Sequence, residues 1–107
     1  MATPPVSKRP FAWRDRRGVF YLPSEMVTRH LFLTLRMIWN HVMPDSARFH
    51  PYACYKFTPF YTEQYFKRAI VALANELSTR TDLAPSSAAE LYRMQHWLIV
   101  TQLKGTS

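Results

Sequence analysis

The run Pro23-Ser24-Glu25-Met26-Val27-Thr28-Arg29-His30-Leu31-Phe32-Leu33-Thr34-Leu35-Arg36-Met37-Ile38-Trp39-Asn40-His41-Val42-Met43-Pro44 decides the fold. Val27, Leu31, Leu35, Ile38 and Val42 recur at the spacing of a helix that buries one face. Ser24 is the expected N-cap, and Glu25 falls in the first turn, where the helix dipole favours an anion. Pro44 ends the helix, because proline cannot donate to the hydrogen-bond ladder. The flanks of the stripe are apolar as well, with Phe32 and Trp39 on one side and Met26, Met37, His30 and His41 on the other. Only Arg29, Arg36 and Asn40 form a polar ridge, which Leu33 interrupts. A helix so apolar is either central to the fold or shared with a partner.

Upstream, Phe11-Ala12-Trp13-Arg14-Asp15-Arg16-Arg17-Gly18-Val19-Phe20-Tyr21-Leu22 sets two short apolar runs around a charged turn ending in Gly18. Glycine supplies the positive φ that such a turn needs, so a β-hairpin is predicted. An isolated two-stranded hairpin is barely stable and must lie against something. Residues Met1–Pro10 hold three prolines and no large aromatic, Leu or Ile, and read as a flexible arm ahead of a single domain over residues 11–107.

Downstream, Asp45–Tyr61 has no helical period, contains Pro51 and Pro59, and crowds in Phe49, Tyr52, Tyr55, Phe57, Phe60 and Tyr61. A second helix is expected from about Thr62 to Thr79, with Phe66, Ile70, Leu73 and Leu77 as its buried stripe. Asp82-Leu83-Ala84-Pro85 reads as a linker. Ser87-Ala88-Ala89-Glu90 then matches a capping box, in which Ser and Glu satisfy reciprocal backbone donors. The third helix continues through Leu91, Met94, Trp97, Leu98 and Thr101 to Gly105, a natural stop. The predicted fold is mainly α: a three-helix domain with a short N-terminal β-hairpin and an aromatic-rich loop between helices 1 and 2.

Fourteen Lys and Arg against seven Asp and Glu leave a net charge of +7, and ten of the cations are arginine. Arginine offers a planar fork suited to phosphate and carboxylate, so the balance favours an acidic partner, nucleic acid or an acidic protein face. Solubility alone is the plainer reading of the same charge. The single cysteine, Cys54, excludes an intramolecular disulfide and any Cys-rich zinc site, and fits a reducing cytoplasm. The first ten residues carry no apolar run of signal-peptide length, and no segment approaches the 18 apolar residues of a membrane span.

Chemistry finds little purchase. His30 and His41 stand three turns apart, ~16 Å along one helix, too far to share an ion. There is no His-x-x-x-His pair and no glutamate one turn from a helical histidine. Cys54 reads as filler between aromatics, since His50, the nearest base, is separated from it by Pro51. With two glycines in the chain no phosphate-cradling loop exists, and the carboxylates are scattered singly. No catalytic residue, metal or cofactor is expected, and the chain does not read as an enzyme.

Two constellations survive. The first is the basic patch Lys8, Arg9, Arg14, Arg16 and Arg17, interleaved with Phe11 and Trp13. Phosphates would take the cations and bases would stack on the rings. The second is the aromatic loop with its flanking cations, Arg48, Phe49, Tyr52, Tyr55 and Lys56. Both sets also suit a protein interface, where Arg, Tyr and Trp dominate binding energy. Each has a structural alternative: a charged turn, and a set of rings roofing the helices.

The pattern Trp13-x-x-x-x-Gly18-x-x-Tyr21-Leu22-x-x-x-Met26-x-x-x-His30-Leu31-x-x-x-Leu35-Arg36 resembles a motif of small phage and prophage accessory proteins. It covers about a quarter of the chain, and departs from the pattern at Tyr21, Pro23 and Leu33. The resemblance implies a phage accessory gene, a class that includes anti-CRISPR and other counter-defence proteins, and it brings no catalytic residues. Trp13, Met26 and His30 look like a structural clip between hairpin and helix. The leading expectation is a phage-encoded accessory protein that acts in the host cytoplasm by non-catalytic binding. It would inhibit a host nucleoprotein complex such as a CRISPR effector. The alternative is a free-standing basic nucleic-acid-binding protein. Direct nucleic-acid contact and self-association stay open; a membrane does not.

Overall fold

Helix α1, Thr28–Val42, runs through the centre of the protein: Leu31, Leu35 and Ile38 are fully buried, and Phe32 and Trp39 nearly so. The computed structural model describes residues 10–53 and 56–105, with side chains as far as Val100. The expected start of α1 shifts by three residues. Pro23–Glu25 form a separate 3-10 turn, with Glu25 Oε1 accepting the Leu22 N–H at 3.0 Å, so Ser24 is not the N-cap. Val27 takes that position in an extended conformation and is exposed, which removes it from the buried stripe.

Helix α2, Glu63–Leu77, packs along α1 and buries Phe66, Ile70, Leu73 and Leu77, the four stripe positions. Thr62 caps it, its hydroxyl accepting the Tyr65 N–H at 3.1 Å. Helix α3, Pro85–Gly105, starts with proline in its first turn, where no amide partner is needed. The expected capping box therefore falls inside the helix. Its Glu90 is drawn instead to Arg36 of α1, Oε1 to Nε 2.9 Å, and ties α3 to the bundle. Leu91 and Met94 enter the core beside this pair.

The hairpin is present in minimal form: β1, Trp13–Arg14, pairs antiparallel with β2, Phe20–Tyr21, in the register Trp13 to Tyr21 and Arg14 to Phe20. Trp13 and Met26 are buried at the junction of hairpin and helices. His30, the third residue of the expected clip, meets Tyr21 edge-on at 6.2 Å but stays exposed. Among the described residues no helix is long and apolar enough to cross a membrane.

Candidate functional site

The hairpin turn is built by Asp15 and Gly18. Asp15 Oδ1 accepts the backbone N–H groups of Arg17 and Val19, each at 2.9 Å. The Val19 amide, most of all, holds this carboxyl below its ordinary range. Gly18 donates to the Asp15 carbonyl at 3.0 Å with φ at +86°, a conformation that an L side chain would strain. With the turn closed this way, Arg16 and Arg17 stand exposed at its tip.

Two tyrosines fix the hairpin to the bundle through its backbone. Tyr65 donates its hydroxyl to the Ala12 carbonyl at 2.7 Å and accepts the Arg14 N–H at 2.9 Å. Tyr61 donates to the Arg14 carbonyl at 2.6 Å. Trp13 packs against both rings, with centroids at 5.5 and 5.8 Å. Burial pushes the Tyr65 hydroxyl above its ordinary pKa of 10.0. Because the folded value is raised, this clamp is intact below pH 10 and is lost as the pH rises through the folded value. An alkaline titration followed by Trp13 fluorescence should show the hairpin loosening in that window, and Tyr65→Phe should abolish the transition. A Trp13 signal indifferent to Tyr65→Phe would refute the clamp.

The loop between α1 and α2 is held by two residues of the polar ridge. Arg36 donates Nη1 to the Pro51 carbonyl and Nη2 to the Phe49 carbonyl, both at 2.9 Å, besides its bond to Glu90. Asn40 is buried and grips the Phe49 backbone from both ends, accepting its N–H at 2.7 Å and donating to its carbonyl at 3.2 Å. The polar ridge of α1 thus faces the loop and satisfies backbone groups that no ladder reaches.

Between the hairpin, α1 and this loop lies a cleft of about 540 Å³. Its deeper lining is Trp13, Thr34, Met37, Phe57 and Tyr61; Arg16, His30, Leu33 and Lys56 are exposed around it. Thr34 is only 6% exposed as a residue, but its hydroxyl, with no hydrogen-bond partner among the described residues, is open to solvent in the cleft. All seven carboxylates are engaged elsewhere. Asp15 closes the turn, Glu25 takes the Leu22 amide and Asp82 takes the Thr28 hydroxyl. Asp45, Glu63, Glu76 and Glu90 pair with Arg48, Lys67, Arg80 and Arg36. Among the described residues this leaves Arg16, Arg17, Arg29, Lys56, Arg68 and Arg93 exposed with no side-chain hydrogen bond or ion pair, the last two lying over the rings of Phe11 and Phe49. Arg29 stands one turn ahead of Leu33 on α1, outside the cleft lining.

The two sequence constellations meet here. Arg14 and Arg16 from the basic patch line the same cleft as Tyr52 and Lys56 from the aromatic loop, with Arg17 beside them at the tip. Other members do structural work. Arg48 donates to the Met43 carbonyl at 2.8 Å and to the Tyr52 hydroxyl at 3.1 Å. Phe49 is buried against Trp39, under the Arg93 guanidinium at 5.0 Å, and offers no face to a ligand. Trp13 is buried too, so it cannot stack on a base. Lys8, Arg9, Cys54 and Tyr55 lie outside the described residues. Thr34, His30 and Met37 were not legible as site residues; Leu33, breaking the polar ridge, was their one trace. Among the described residues no three His, Asp or Glu side chains gather as a metal site. Beside the cleft, Phe20 and Phe60 form an exposed edge-to-face pair at 6.3 Å, with the Arg14 guanidinium 4.5 Å over Phe60. Comparison with protein-family models, curated proteins and solved structures finds no match.

Proposed function

We propose that this chain works by binding alone: it occludes a nucleoprotein complex, laying the hairpin tip and the cleft against a phosphate-bearing surface. The observation that carries the reading is the excess of cation at one place. Every carboxylate is engaged, while Arg16 and Lys56 remain uncompensated in the lining of one cleft, with Arg17 exposed beside them at the turn tip. Uncompensated guanidinium and ammonium groups on a shared face are what phosphate contacts require. The resemblance of the Trp13–Arg36 segment to phage accessory proteins supports a role as an inhibitor in an infected cell, with a defence complex such as a CRISPR effector as the partner to try first.

A second reading has its own support. Phe20 and Phe60, with Val19 nearby, form an exposed apolar patch of the kind that anchors a protein partner. One experiment separates the two. The tagged chain is used to capture effector complexes from a defence-bearing host lysate, with and without nuclease. Capture that nuclease abolishes, and that Arg16→Ala with Lys56→Ala abolishes, supports contact through nucleic acid. Capture that survives nuclease but is lost on Phe20→Ser with Phe60→Ser supports the protein-face reading. Failure to retain or inhibit any nucleoprotein complex would sink the proposal.

A further inference from the structure

We infer that the cleft is a nucleotide seat, taking one unstacked base with its phosphate; this deepens the binding function proposed above and rests on it. The cleft divides chemically in the way such a ligand does. Its exposed members Arg16, His30 and Lys56 carry donors suited to a phosphate, and Arg16 and Lys56 have no competing partner. Its interior is apolar where a ring would lie, against Met37 of α1 and Phe57 of the loop, with Leu33 at the mouth. At about 540 Å³ it falls within the range of small-ligand clefts.

The Thr34 hydroxyl adds a hydrogen-bonding point within the cleft. It is open to solvent there and has no partner among the described residues. A base edge, with its alternating donors and acceptors, would provide one. Two further polar groups of the cleft are committed: Asn40 to the Phe49 backbone, Arg36 to Glu90 and two loop carbonyls. They hold the walls in place, so the seat exists before the ligand arrives, and little ordering cost opposes binding.

The test is titration of the full chain, observed through the methyl NMR signals of Leu33 and Met37, with four probes: adenosine 5′-monophosphate, adenosine, inorganic phosphate and phenyl phosphate. The monophosphate should shift both methyl groups and bind at least about tenfold more tightly than any of the other three. Thr34→Val keeps the shape and should weaken it by roughly 5-fold, the worth of one neutral hydrogen bond. Lys56→Ala should weaken it by about tenfold through loss of a charge-assisted contact. A single-stranded oligonucleotide identifies the source: much tighter binding than the monophosphate makes the ligand a unit of a strand, and equal affinity makes it a free nucleotide. Phenyl phosphate binding as well as the monophosphate would overturn the assignment to a nucleotide. An oligonucleotide that binds without moving either methyl, and indifferently to Thr34→Val, would overturn the seat while leaving the proposed function standing. Silence from both the monophosphate and the oligonucleotide would remove both.

Discussion

Raising salt from 50 to 200 mM should weaken binding of a single-stranded oligonucleotide by roughly 50-fold. That figure follows from about four phosphates neutralised by Arg16, Arg17, Arg29 and Lys56, each adding ~0.7 to the logarithmic salt slope on a single strand. The cost is entropic at root: each cation that replaces a condensed counterion releases that ion to the bulk, and the release is worth less as the bulk grows more concentrated. Replacing Arg16, Arg17 and Lys56 with alanine should flatten the slope by about two units. The variant should stay folded, because these side chains are exposed and hold no other element. Fluorescence anisotropy across a salt series measures both quantities. A protein that targets an acidic protein face would show no appreciable affinity for free nucleic acid at 150 mM salt, and that result would transfer the argument to Phe20 and Phe60.

Arg36→Met should cost about 3 kcal/mol of stability, comparable with the ~2–5 kcal/mol expected for truncating the fully buried Leu35 to alanine. The guanidinium joins three segments that share no backbone ladder: α1, which carries it, the loop at Phe49 and Pro51, and α3 at Glu90. The Arg36 and Glu90 side chains are only 19% and 27% exposed, so the carboxylate left behind is poorly compensated by water. For a domain of this size such a loss lowers the melting temperature by roughly 15 °C. Glu90→Gln retains an acceptor for Arg36 and should cost less than half as much. Chemical denaturation of the three variants checks the ranking, and an Arg36→Met loss below about 1 kcal/mol would show that the loop stands without it.

The same residue marks where reading the sequence stops being enough. Hydrophobic spacing located three helices because burial repeats every turn, and Leu31, Leu35, Ile38, Phe66, Ile70 and Leu73 all lie where that spacing puts them. Gly18 located the hairpin because the turn demands a positive φ. Arg36 and Asn40 follow no such local rule. A polar residue on a helix ordinarily faces water, and these two turn inward because an irregular loop brings carbonyl and amide groups that need partners. That need arises nine to fifteen residues away in the chain and leaves no mark beside them. Glu90 shows the converse. Its place three residues after Ser87 suggested a cap, but Pro85 already starts α3, and the carboxylate is held by Arg36. The cleft was half legible. Each cationic cluster was visible in the sequence, and their meeting depends on two tyrosine hydroxyls that, in the sequence, were only aromatics.

Those hydroxyls grip Ala12, Arg14 and Asp15 by main-chain atoms alone. The grip is blind to which side chains the strand and turn carry. Arg16, Arg17 and Val19 can therefore be exchanged by mutation while the hairpin keeps its seat, provided Asp15 and Gly18 remain to close the turn. Side chains mounted in this way can vary without disturbing the scaffold beneath them. Random libraries restricted to residues 16, 17 and 19 should consequently yield mostly folded proteins, with their differences confined to what they bind.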